Sequence, residues 1–139
     1  MKLYIDQDTK KLITEATSKV SVKNLSFKKD DSSLLEVIFV STKTEQPALS
    51  TRSINLGIKS AGDYNGDFLV QNLSADSLSG TSYNLFTSFD TSNLNALLSA
   101  NETSVSTMLE IAWSDDGGIK WQAADTVPTT ISNCVIQRS

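Results

Sequence analysis

The chain has 139 residues, a net charge of −4, one cysteine and no histidine. That length buries a core without disulfides or a structural metal; with 39% apolar and 20% charged residues, residues 1–139 read as one folded domain. The missing histidine argues against most catalytic devices and the lone Cys134 against thiolate zinc; the thinly spread Lys and Arg argue against nucleic acid, and the lack of a long apolar run against membrane insertion.

In chain order, KLYID and KLIT read as two short strands around the turn QDT, and VSVKNLSF as a third, ended by KKDDSS. LLEVIFVS (34–41) is apolar at both alternating sets, Leu35, Val37 and Phe39 against Leu34, Ile38 and Val40, which predicts a central strand covered on both faces. After the polar loop 42–51, RSINLGIK places Ile54, Leu56 and Ile58 on one face and Ser53, Asn55 and Gly57 on the other. SAGDYNGD is turn chemistry. FLVQ and SYNLFTSF are further strands, separated by a Ser-rich loop with Gly80. A helix is predicted over about 91–100, with Thr91 or Ser92 as N-cap, Leu94, Leu97 and Leu98 at helical spacing and Asn101 as terminator. SVSTMLEIAWS alternates through Val105, Leu109, Ile111 and Trp113; DDGG reverses it, IKWQ returns, and TTISNCVIQ closes the fold. The pattern predicts an all-β fold: a two-sheet antiparallel β-sandwich with one helical crossover.

The two tryptophans depend on the register of the 109–122 hairpin. A three-residue loop, Asp116-Gly117-Gly118 with Gly118 left-handed, sets Trp113 opposite Trp121 and gathers the large apolar side chains on one face. Shorter or four-residue loops separate the rings and expose Ile119 and Trp121, at about 1.5–3 kcal/mol per large side chain. The expected core is therefore Trp113, Trp121, Ile111, Leu109, Val37, Phe39, Ile54, Leu56 and Ile58, with neither indole left as a sugar platform.

Asp63, Asn65 and Asp67 match the first three ligand positions of a calcium loop, but Phe68 and Ser74 break the pattern, so an Asx-rich turn is expected there. The pairs Asp115-Asp116 and Asp30-Asp31 are of the type used in hydrolytic chemistry, yet both fall in turns, where Asp caps and solubilises. Tyr64, Tyr83, Phe86 and Phe89 fit either a recognition patch on loops or partial burial at strand ends. No catalytic, cofactor-binding or metal site is expected, and no cofactor.

Taken in order, LSFKKDDSSLLEVIFV, LGIKSAGDYNGDFLV, LEIAWSDDGGIKW and ISNCVIQ resemble a loose group of small structural proteins of tailed bacteriophages and prophages. In that group a basic-acidic turn after L-x-F leads into an L-x-V-x-F strand, and the chain closes with N-x-V-I. The similarity spans, piecewise, most of residues 25–137; Asp30-Asp31 stands where the group has a Gly-Asp turn. The resemblance implies a non-enzymatic β-sandwich component of a tail, baseplate or receptor-binding fibre. Homo-oligomerisation and docking to other virion proteins are the expected mode of action, and a host surface glycan is the alternative partner. MKLYIDQDTKK lacks the apolar core of a secretion signal, in keeping with folding in the host bacterial cytoplasm and assembly into the virion. The terminal strands KLYID and ISNCVIQ either offer open sheet edges for docking or have those edges covered by their own loops.

Overall fold

The structure, a computed structural model, describes residues 2–15, 20–29, 32–40, 53–72, 76–79, 82–89, 92–98 and 103–133. Expectations for Asp30-Asp31, the 42–51 loop, Gly80, Thr91, Asn101 and Cys134 fall outside these residues.

The fold is all-β with one short helix, and its strands form two sheets. The first holds β1 (Lys2–Asp6), β2 (Lys11–Ile13), β4 (Ser32–Val40), β7 (Asp76–Ser79) and β8 (Ser82–Ser88), in the order β2-β1-β4-β8-β7. The second holds β3 (Leu25–Lys28), β5 (Ser53–Ser60), β6 (Val70–Asn72), β9 (Ser104–Ser114) and β11 (Val127–Ser132), in the order β3-β11-β9-β5-β6, with β10 (Gln122–Ala123) also paired to β9. Helix α1 (Ser92–Leu97) follows β8 and precedes β9, so it carries the chain from one sheet to the other. β7 falls within the stretch expected to be a Ser-rich loop; it pairs with β8 through an irregularity between Ser77 and Ser79.

Both sheets are mixed, which corrects the all-antiparallel expectation. β1 runs parallel to β4 and β11 parallel to β3. Each parallel pair is joined through a long excursion: between β1 and β4 the chain makes the β2 hairpin and visits the second sheet as β3. Local turn signals identify hairpins, whereas a parallel partner is chosen by distant packing. The same topology takes KLYID away from a sheet edge; of ISNCVIQ only residues 131–133 are described, so the edge weighed there falls largely outside the described residues. β1 lies between β2 and β4, and β11 between β3 and β9; among the described residues the outermost strands are β2, β7, β3 and β6.

One apolar cluster draws on both sheets. Leu35, Val37 and Phe39 of β4 are fully buried, as are Leu56 and Ile58 of β5 and Ile111 of β9, while Ile54, Leu109 and Trp113 are 2% exposed or less. The Phe39 ring meets Trp113 edge-on at 5.2 Å, an arrangement that sets the positive edge of one ring against the π-face of the other. Phe27 stacks on Phe89 at 4.3 Å. The second face of β4 is covered only in part: Val40 is buried, but Glu36 and Ile38 are partly buried, and Glu36 lies 3.8 Å from the exposed Lys2 ammonium. Leu94 of α1 and Leu98 just after it face the core four residues apart, but Leu97, at the third position of that pattern, is 42% exposed. At about 3.6 residues per turn Leu97 stands roughly 100° round the helix axis from Leu98, at the margin of the buried stripe.

Buried polar groups near the core are satisfied locally. Thr107 donates to the Thr129 carbonyl at 2.6 Å, and Thr129 to that of Val127 at 3.1 Å. Asp6, 2% exposed at the end of β1, accepts from the Asp8 N–H and the Thr9 hydroxyl and thereby shapes the β1–β2 turn, in which Lys10 takes a left-handed φ of 56°.

Candidate functional site

On the outer face of the second sheet, opposite the side bearing Ile54, Leu56 and Ile58, the register pairs Asn55 with Ala112, Gly57 with Glu110 and Lys59 with Met108. Cross-strand partners share a face, so these six side chains form the floor of a hollow of about 200 Å³. The small Ala112 leaves room in it, and Gly57 makes room for its wall. Tyr64 and Phe68 wall it on one side and Thr126 on the other.

The aromatic wall is fastened by several independent contacts. The Phe68 ring lies directly on Gly57: a Cβ there would stand 2.6 Å from Phe68 Cε1. This is the close approach for which a glycine inside a strand is a marker. Lys59 Nζ sits 4.5 Å from the Phe68 centroid, a cation–π distance, and donates to the Tyr64 carbonyl at 2.8 Å. From α1, Asn93 Nδ2 donates to the Phe68 carbonyl at 2.9 Å, and the Leu69 N–H bonds the Ile58 carbonyl at 2.8 Å. Tyr64 remains 67% exposed at the rim. At the floor, Asn55 Oδ1 is buried without a hydrogen-bond partner, a state that costs about 1–3 kcal/mol and that a ligand donor could relieve.

A second feature is the loop 115–121. Trp113 pairs with Gln122, not with Trp121, so the loop is longer than the three residues expected. Trp121 is 47% exposed and Ile119 80%, whereas Trp113 is 1% exposed. The expectation of two buried indoles is therefore corrected: only Trp113 belongs to the core. The physical reason is the Asp116 side chain. Its Oδ1 accepts from Ile119 N–H at 3.1 Å, Lys120 N–H at 2.9 Å and the Ser114 hydroxyl at 2.7 Å, while Ser114 Oγ accepts from Gly118 N–H at 2.9 Å. With these backbone donors satisfied by side chains, the wide loop needs no tight ladder. Gly117 and Gly118 supply the two left-handed residues, at φ 72° and 92°. The Trp121 indole rests on Gly118 and donates to its carbonyl at 3.0 Å, a fixed orientation for an exposed ring.

The N–H of Lys120, followed by the Ser114 hydroxyl, holds the Asp116 carboxyl below the ordinary carboxylate range. A lowered folded-state value means that the carboxylate favours the closed loop above the ordinary value, and that this contribution disappears as pH falls through the lowered one. In an acid titration followed by NMR, the Ile119 and Lys120 amides should shift together with a midpoint below the ordinary carboxylate value, and Asp116→Asn should remove the transition. A midpoint at or above that value would mean that the carboxylate does not organise the loop.

The other sequence candidates separate. Among the described residues no three acidic or cysteine side chains gather to hold a metal ion. Asp63, Asn65 and Asp67 instead lie in the turn-rich wall of the hollow, where the Asp63 carboxylate folds against Gly66. Of the four aromatics weighed for a patch, Tyr64 lines the hollow and Phe89 is fully buried; the side chains of Tyr83 and Phe86, like that of Leu34, lie outside the described set. Phe68, Lys59, Asn55 and Glu110 were not foreseen as a group. Gly57 was the available signal, because an isolated glycine in an alternating strand marks a neighbour lying on the backbone.

No family model matches the chain, and no curated protein matches it.

Proposed function

We propose that this chain is a non-enzymatic β-sandwich component of a tailed-phage particle, a tail, baseplate or fibre adaptor that docks to further copies of itself and to other virion proteins. In this reading the two sheets pack face to face around the Phe39–Trp113 contact, and the working surface is the loops beside the second sheet rather than the terminal strands. The observation that carries it is the exposure of four large apolar side chains in two loops, Tyr64 and Phe68 in one and Ile119 and Trp121 in the other. Large apolar side chains held out on loops are groups through which contact surfaces bind. The resemblance of the 25–137 segments to phage structural proteins supplies the particle. Light scattering on the purified chain, alone and mixed with tail proteins encoded beside it, should show a defined oligomer or complex, weakened by Ile119→Asp. A strict monomer that engages none of them would overturn the reading.

A second reading, a carbohydrate- or receptor-binding module, is favoured by the fixed, half-exposed indole of Trp121. Such modules stack sugar rings on solvent-facing aromatics. Binding on a glycan array that disappears in Trp121→Ala, with thermal stability retained, is its expected signature.

A further inference from the structure

We propose, building on the receptor-binding reading, that the hollow over β5 and β9 is a further sugar site, apart from Trp121, that takes a single neutral ring. Size sets the first limit. Pockets for drug-sized ligands run to roughly 300–1,000 Å³, so a hollow of about 200 Å³ admits one ring-sized group and no long chain segment.

Charge sets the second. Lys59 and Glu110 bring one positive and one negative group to the same hollow. An anionic ligand meets the Glu110 carboxylate and a cationic one meets the Lys59 ammonium, whereas a neutral polyol donates to the first and accepts from the second. Of the three N–H groups on the Lys59 ammonium, one is committed to the Tyr64 carbonyl, which leaves donors for a ligand. Asn55 offers an amide whose Oδ1 has no partner in the protein.

Shape sets the third. The exposed Tyr64 ring at the rim gives the C–H face of a pyranose an aromatic surface. The Phe68 wall is already in place before any ligand arrives, held by Gly57, Lys59 and the Asn93 bond from α1. A preorganised wall lowers the ordering cost of binding a small molecule.

The test is NMR titration of the isotope-labelled full chain with methyl pyranosides of glucose, galactose, mannose and N-acetylglucosamine. Saturable shifts are expected at the Gly57, Phe68 and Glu110 amides with the Trp121 indole unmoved. Tyr64→Ala and Ala112→Leu, the second filling the hollow, should each weaken binding by about tenfold or more, with the unliganded spectrum and melting midpoint showing that each variant is folded. Shifts confined to residues 115–121 would overturn the site while leaving the receptor-binding reading intact. No saturable shift with any glycoside, together with a blank glycan array, would overturn both. Pocket shifts that follow protein concentration instead of glycoside would assign the hollow to a second copy of the chain and overturn the sugar proposal.

Discussion

Trp113→Ala is expected to destabilise the protein by about 3–5 kcal/mol, the usual range for deleting a buried large aromatic, and Trp121→Ala by a small fraction of that. Trp113 is 1% exposed and meets Phe39 of the other sheet at 5.2 Å, so its removal leaves a cavity where the two sheets touch. Trp121 is 47% exposed, and its contacts are to its own loop. Urea unfolding of the two variants separates them, with the Trp113→Ala melting midpoint falling on the order of 10 °C. Iodide quenching gives an independent check: the fluorescence that survives in Trp113→Ala should be accessible, and that in Trp121→Ala protected. Equal destabilisation by both substitutions would mean that both rings are core, as a three-residue hairpin requires.

Phe89→Ala should cost about 3–5 kcal/mol for the same reason. The side chain is fully buried and stacks on Phe27 at 4.3 Å with the rings 19° from parallel. Phe27 belongs to β3 of the second sheet, while Phe89 directly follows β8 of the first. The stack is therefore a second tie between the sheets, independent of Phe39 and Trp113. A double-mutant cycle of Phe27→Ala and Phe89→Ala in urea should return a coupling of about 0.5–1.5 kcal/mol. Additive losses would show that the rings do not stabilise one another in solution.

The readings of function share the exposed Tyr64 ring and differ in the rest of the surface they use. Assembly uses the exposed apolar residues of the two loops; sugar recognition in the hollow uses Tyr64 together with the polar floor. Ile119→Asp should impair the first without touching the second, and Ala112→Leu the reverse. Asp116 serves neither as an acid nor as a base in these readings: its carboxylate is engaged by its own loop.

Strand identity was legible in the sequence because side-chain alternation is a property of a single strand. Ile54, Leu56 and Ile58 all point inward along β5, and Leu109, Ile111 and Trp113 along β9, as their period-two spacing requires. The crossover helix was legible from its leucines, although Leu97 lies at the margin of the buried stripe and is exposed. The hollow was only partly legible. Asn55 and Gly57 were correctly set on the outer face of β5, but the residues facing them come from β9 and from the 61–69 segment, and no local pattern links those stretches.

What the amino-acid sequence determined by itself was set by short-range geometry: most of the strands, though not β7 or the extent of the return strand IKWQ, the inward face of β5 and β9, the turn chemistry of GDYNGD and DDGG, and the burial of Trp113. The tertiary structure alone decided the parallel partners and interior positions of β1 and β11 and the exposure of Trp121. Parallel pairing is a choice among distant segments, made by the packing of the whole core. Exposure of Trp121 followed from a competition that counting apolar residues does not capture, in which the Asp116 carboxylate and the Ser114 hydroxyl satisfied the loop's backbone and held the ring outside.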